Sequence, residues 1–352
     1  MAQIAEDLKL SRAAVSAVIN GREKKQRISK KTADLIKEHM RNCGYVQPKS
    51  AIQLRKGAPK DLTGVLYCGD FIRYPHLIDA FSFLTKHIKS ESGFVEITGV
   101  DPVNQLDALK EQVAKGISKL VWLHSNVPDI EKENADALFP LLERMERVVV
   151  INYDFRNPDW DKEYLKRGIH LLGYDRRDTY IKTANLLKRE GRTHAAMPDF
   201  FYGTNEAVHR DHSPVRDIFK SRGIKISGFH PLTDVDDMGF DYSASFGKNL
   251  AKLHKEQGVD CAFIRGGILS ADIMARLNKL GIKVPQDIAI ISFGDMPYFN
   301  FLPVPLTTFQ IPAERLARKS IEFLEDNKFK SGQLCKLKCK LVLRASHGES
   351  AI

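Results

Sequence analysis

From residue 63 onward the chain alternates short strand-like runs with amphipathic helical stretches, and this rhythm restricts the fold more than any other feature. Apolar runs at 64–68, 95–100, 120–123 and 148–152 read as strands, with helical stretches at 77–89, 106–115 and 135–145 between them. The pattern then repeats, with strands at 169–172, 194–197, 224–229, 261–264 and 288–292 and helices at 179–189, 206–221, 242–254 and 270–280. Repeated βα units build parallel sheets covered by helices. Two such runs predict two doubly wound α/β lobes, with a ligand cleft at the strand ends between them.

The first 45 residues have a different texture. Ile4, Ala5 and Leu8 give a short first helix an apolar stripe. Ser11 is placed to cap a second helix, with Ala14, Val15, Val18 and Ile19 at helical spacing on its inner face. Its opposite face carries Arg12, Ala13, Ser16, Ala17 and Asn20, all small or hydrogen-bonding. Such a face fits a DNA major groove and reaches base edges. A third helix is expected over 30–42, capped by Ser29, stopped by Gly44 and buried through Ala33, Ile36 and Met40. A polar loop holding Arg22, Lys24, Lys25 and Arg27 joins the second helix to the third.

Periodicity alone fits an ordinary amphipathic hairpin equally well, and charge decides between the readings. Residues 1–60 hold fourteen basic and five acidic side chains, nine of the ten net positive charges of the 352-residue chain. A phosphate-binding module accounts for that concentration, because neutralising phosphates releases counterions. No apolar run approaches the ~18–20 residues that span a bilayer, and the polar N-terminus does not read as a signal peptide. Five scattered cysteines fit a reducing cytoplasm, the expected location. Cys335 and Cys339 lie in an alternating, strand-like run over 334–343 with no further ligand placed to complete a zinc site, so neither metal nor cofactor is expected.

Several segments resemble the lactose-repressor (LacI) family of bacterial transcription regulators, and the resemblance extends along nearly the whole chain. Ile4-Ala5 and the run from Ser11 to Asn20 match the family's helix-turn-helix signature. Gly44-Tyr45 with Ala51-Ile52-Gln53-Leu54-Arg55 is similar to its hinge. Gly281 to Asp295 resembles the family's "GxxVPxDISVVGFDD" segment, and Pro305-Leu306-Thr307-Thr308-Phe309 its "PPLTTV". The resemblance implies a helix-turn-helix domain at 1–45, a hinge helix and linker at 46–60, and a two-lobed periplasmic-binding-protein-like domain at 61–345. Within it, lobe 1 is expected at 61–155 and 296–325, and lobe 2 at 156–295 and 326–345. It further implies a homodimer on a near-palindromic operator, with Tyr45 and Ala51 against DNA and Leu54 as a minor-groove wedge. Effector binding between the lobes would alter operator affinity.

The departures shape the expected sites. Ala17 stands where arginine is usual, which leaves Arg12 as the direct base reader, while the basic loop adds phosphate contacts. Pro48 sits one place late in the hinge, and the chain opens almost inside the first helix. Arg265-Gly266-Gly267 replaces an Asn-Asp pair, and Gly294 the first acid of a pair that ends in Asp295. The expected effector contacts are Tyr74, His76, Asn152, Arg210, Arg265 and Asp295. Glycine offers only backbone groups, whereas Arg265 and Arg210 favour an acidic or phosphorylated ligand, such as a sugar acid or sugar phosphate, over a neutral sugar. Two other classes share parts of the pattern. A transport receptor uses the same lobes but not the basic N-terminal module. An enzyme would draw on 209–212 and Asp234, Asp236 and Asp237, yet no nucleophile elbow, phosphate loop or metal spacing surrounds them.

Overall fold

The computed structural model describes residues 2–19, 21–42, 62–68, 75–88, 95–124, 130–151, 158–198, 212–229, 241–325 and 331–348. They fall into two units, Met1–Lys60 and Asp61–Ile352. In the first, α1 (Ala2–Asp7), α2 (Arg12–Ile19) and α3 (Lys30–Asn42) enclose a core of Ile4, Ala5, Val15, Val18, Ala33 and Ile36. Burying each large aliphatic chain contributes about 1.5–3 kcal/mol, which three short helices need because none is stable alone. Both expected caps form: Ala14 N donates to Ser11 Oγ and Thr32 N to Ser29 Oγ, each at 3.1 Å. The expected stop at Gly44 and the hinge at 46–60 lie outside the described residues.

The second unit is built on two six-stranded sheets. In the first lie β1 (Thr63–Cys68), β2 (Val95–Val100), β3 (Lys119–Leu123), β4 (Arg147–Ile151), β5 (His170–Tyr174) and β11 (Leu334–Leu337), in the order β2-β1-β3-β4-β5-β11, all parallel. In the second lie β6 (His194–Pro198), β7 (Lys225–Phe229), β8 (Cys261–Arg265), β9 (Ala289–Phe293), β10 (Thr307–Gln310) and β12 (Lys340–Val342), in the order β7-β6-β8-β9-β10-β12. Only β12 among these runs antiparallel, against β10. Runs such as Val148-Val149-Val150-Ile151 are apolar throughout because helices cover both faces of a parallel sheet.

The helices are α4 (Pro75–His87), α5 (Gln105–Ala114), α6 (Ile130–Leu142), α7 (Pro158–Lys166), α8 (Arg176–Arg189), α9 (His212–Lys220), α10 (Asp241–Gln257), α11 (Gly267–Lys279) and α12 (Ala313–Glu325). α4 and α12 pack together, and α12 lies against β3, β4 and β5, where Phe323 stacks on His170 at 4.4 Å. No helix among the described residues is long and apolar enough to cross a membrane.

The lobe boundaries differ from those expected. β5 at 170–174 and β11 at 334–337, both expected in lobe 2, hydrogen-bond into the first sheet. β10 at 307–310, expected in lobe 1, joins the second. The run over 334–343 is two strands rather than one, because the chain changes sheet at Lys338-Cys339. Three crossovers therefore connect the lobes, at 174–176, 310–313 and 337–340, and they touch: Asp175 N donates to Leu337 O at 2.8 Å, and Lys182 Nζ to Cys339 O at 3.0 Å.

Candidate nucleic-acid interface and effector cleft

The turn between α1 and α2 follows from its backbone. Lys9 takes a positive φ of 52°, ending α1, while Leu10 N donates to Ala5 O at 2.9 Å. Ser11 then starts α2. Along α2 the outer face presents Arg12 and Ala13 exposed, beside exposed Ser11, with Ser16 half-buried. Asn20 lies outside the described residues. Ala17 departs from expectation: it is buried, at 4% exposure. At the end of α2, Arg22 N donates to Ala17 O at 2.8 Å and Gly21 N to Val18 O at 3.1 Å, capping the helix. Ala17 therefore packs within the unit, and Arg12 is the long donor exposed beside Ala13.

The basic loop is held in shape. Ile28 N donates to Glu23 O at 2.9 Å, and Lys37 of α3 pairs with Glu23 at 3.1 Å. Hydrogen bonds to its backbone and to Lys37 keep the Glu23 carboxyl below its ordinary pKa. Arg22, Lys24, Lys25 and Arg27 remain exposed around that anchor. His39 meets Asp7 at 3.0 Å, tying α3 to α1. The unit thus exposes a helix face bearing one guanidinium and small side chains, and a cationic loop follows that helix in the chain, groups suited to base-edge and phosphate contacts. Tyr45, Ala51 and Leu54 lie outside the described residues.

In the second unit, ligand crevices of doubly wound sheets open at the carboxyl ends of the strands. Tyr174 at the end of β5 meets Phe293 at the end of β9, ring centroids 4.7 Å apart, so an aromatic pair joins the two sheets there. The Arg176 guanidinium lies 5.6 Å over the Tyr174 ring. On the first sheet, buried His124 follows β3 and lies 3.4 Å from Glu131, which also accepts from Tyr164 Oη at 2.9 Å. Sequence reading missed these groups. Aromatic and polar residues at the ends of apolar strand runs were the available signal.

The second sheet's wall differs from the sequence expectation. Asp295, expected to grip an effector, is committed internally. Arg344 donates to both its oxygens, at 2.7 and 3.1 Å, and Thr308 Oγ1 donates to one of them. Arg344 also bonds Leu306 O at 2.7 Å, and Ser346 Oγ bonds Ile290 O at 2.6 Å, so residues 344–346 strap this edge. Gly267 opens α11 where a Cβ would overlap the Phe299 ring and the Gly294 carbonyl oxygen. Ser270 Oγ donates to Gly266 O at 2.9 Å and meets Ser292 Oγ at 2.7 Å. Gly267 thus allows close internal packing, with Phe299 fully buried against it. Tyr74, Asn152 and Arg210 lie outside the described residues, as do the side chains of His76 and Arg265.

No group of three or more His, Cys, Asp or Glu residues suited to a metal occurs among the described residues. Cys335 is half-buried, and Cys261 and Cys339 are buried free thiols; burial raises all three pKa values, that of Cys339 to about 12. They are therefore poor nucleophiles.

Comparison with known proteins agrees with this architecture. A family model described as a periplasmic binding protein-like domain matches residues 238–347. The HTH-type transcriptional repressor PurR of Photorhabdus laumondii is 29% identical over 97 residues, 27% of this chain and 28% of that repressor. The HTH-type transcriptional repressor MelR of Bacillus subtilis is 30% identical over 115 residues, 32% of this chain and 33% of MelR. The chain thus spans about a third or less of the length of these curated relatives. A lac repressor dimer, solved bound to operator and an anti-inducer, superposes with a TM-score of 0.68 at 17% identity over 98% of both chains. A LacI family regulator from Lactobacillus casei, solved with glucose, superposes at 0.60 and 17% identity, over 81% of this chain and 99% of that one. The architecture is that of these regulators, an N-terminal helix-turn-helix followed by a two-lobed α/β domain, and the chain shares their fold while parts of it are similar in sequence to named repressors.

Proposed function

We propose that the chain is a sequence-specific DNA-binding transcription regulator, a repressor, acting in the cytoplasm as a homodimer on a near-palindromic operator. The observation that carries the reading is the exposed Arg12–Ala13 face of α2 followed in the chain by the anchored cationic loop. Its relatives are named repressors, which supports a regulatory rather than an enzymatic role. In this reading Arg12 reads a base, Ser11, Ala13 and Ser16 allow close approach, and Arg22, Lys24, Lys25 and Arg27 contact phosphates. Asn20, Tyr45, Ala51 and Leu54 complete the DNA surface, with Leu54 as the wedge. Operator affinity responds to a small molecule between the lobes, bound through Tyr74, His76, Asn152, Arg210 and Arg265. Relatives solved with glucose or lactose support a sugar-like ligand, and the two arginines favour an acidic one.

Operator selection from random DNA, followed by gel shift, tests this. The intact protein is expected to enrich a near-palindromic motif, with affinity falling steeply as salt rises. Arg12→Ala should relax preference at one position per half-site and cost about 1–3 kcal/mol. Deleting residues 1–60 should abolish binding. Operator affinity retained by that deletion overturns the reading, and an unchanged motif with Arg12→Ala overturns the assignment of Arg12.

A further inference from the structure

A cavity of about 610 Å³ opens at the seam where the chain passes between the lobes. Two of the three crossovers line it, at 310–313 and at Lys338, together with α4, the start of α12 and Lys340 of β12. None of the cleft residues named above borders it. Its charge is unbalanced. Lys86, Arg315, Lys338 and Lys340 face two acids, Asp79 and Glu314. Glu314 is already engaged by Arg318, at 2.9 and 2.7 Å. Lys338 reaches Asp178 only at 3.8 Å, and the side chains of Lys86, Arg315 and Lys340 form no hydrogen bond or ion pair among the described residues.

Four cations around one concavity repel one another, and the concavity focuses their field on an anion. They also come from different parts of the fold. Lys86 stands on α4, which packs on α12, Arg315 on α12, which lies against the first sheet, Lys338 on a crossover, and Lys340 on an edge strand of the second sheet. Apolar Phe83, Ile311 and Pro312 supply a floor, as in ligand pockets of this size. We infer that this seam binds a small polyanion, a molecule carrying two phosphate or carboxylate groups, which bridges the lobes. The Arg315 fork and the lysines match the oxygens of such groups. Because its contacts lie on both lobes, the ligand binds one relative arrangement of the lobes more tightly than others and shifts the population toward it. This site adds a second input beside the inter-lobe cleft, and its occupancy does not depend on the DNA reading.

Calorimetric titration of the full chain with inorganic pyrophosphate and with citrate, at matched ionic strength, tests the inference and separates phosphate from carboxylate preference. Binding with a Kd below about 1 mM is expected for at least one of them. Lys338→Glu/Lys340→Glu, at exposed positions, should weaken it about tenfold or more, since each lost charge-assisted bond matters. Lys24→Ala/Lys25→Ala, in the DNA-facing loop, should leave it unchanged. Equal binding by the charge-reversed variant, loss in the loop variant, or no binding of either anion overturns the proposal. Polyglutamate binding without pyrophosphate or citrate binding also overturns it, in favour of an acidic protein partner.

Discussion

Arg344 illustrates how one side chain decides what another is available to do. Its guanidinium, 7% exposed, holds Asp295 through both oxygens and also bonds the Leu306 carbonyl. A largely buried carboxylate needs that partner, and removing it leaves a poorly compensated charge. Arg344→Ala is expected to destabilise the second unit by about 3–5 kcal/mol, measured by urea unfolding. Arg344→Met combined with Asp295→Leu should cost less, because no charge remains buried. Parity between the single and double variants would show that the strap, and not the ion pair, carries the effect. Ala17 and Asp295 also mark the limit of residue-level reading. Helical spacing put Ala17 outside, but it is buried within the three-helix unit. Motif position put Asp295 at a ligand, but its partner lies 49 residues later and no local pattern points to it.

Elements were more legible than residues. The strand at 95–100 and the helix at 30–42 form over the ranges their patterns indicate, and nine expected strands form within about two residues of their expected ends. α7, α12 and β10 were not anticipated. α7 begins at Pro158 in a charged stretch whose periodicity is carried by Trp160, Tyr164 and Leu165. β10 is four residues long, and its edge character depends on β9 and β12. The β5–β11 junction carries a titratable element. His170 is buried beneath Phe323 and accepts from Gln333 N at 3.1 Å, so it must be neutral. Burial, with Arg147 and Lys319 nearby, lowers its pKa from 6.5 to about 4. The unfolded chain takes up a proton near pH 6.5 that the folded chain refuses until about pH 4. The contribution of His170 to stability is therefore whole above pH 6.5 and is lost as pH falls toward 4. Urea midpoints at pH 7 and pH 5 should differ, and His170→Gln should flatten the difference. An unchanged slope in that variant would assign the acid sensitivity to other groups.

At the scale of the whole molecule, repeated βα units made two lobes legible, yet membership of each lobe was not, because periodicity reports strand type and not strand neighbours. β11 and β12 close opposite sheets only two residues apart along the chain. Removing residues 331–352 should thus loosen both lobes together, seen as faster hydrogen exchange in β5 and in β10. Protection lost in one sheet alone would mean that the lobes are independent of this segment.

The three crossovers also set an order of events in the living cell. A ribosome works from the amino terminus, and early segments usually fold first. Here the first sheet has five of its strands in hand by residue 174, yet its sixth arrives only at 334–337, after nearly all of the second sheet has been made. During that interval the free edge of β5 presents unpaired backbone, the kind of edge that recruits wrong partners. The small basic unit at 1–60 depends on neither sheet for its core. The nascent chain thus displays its cationic helix-turn-helix well before the two lobes are complete.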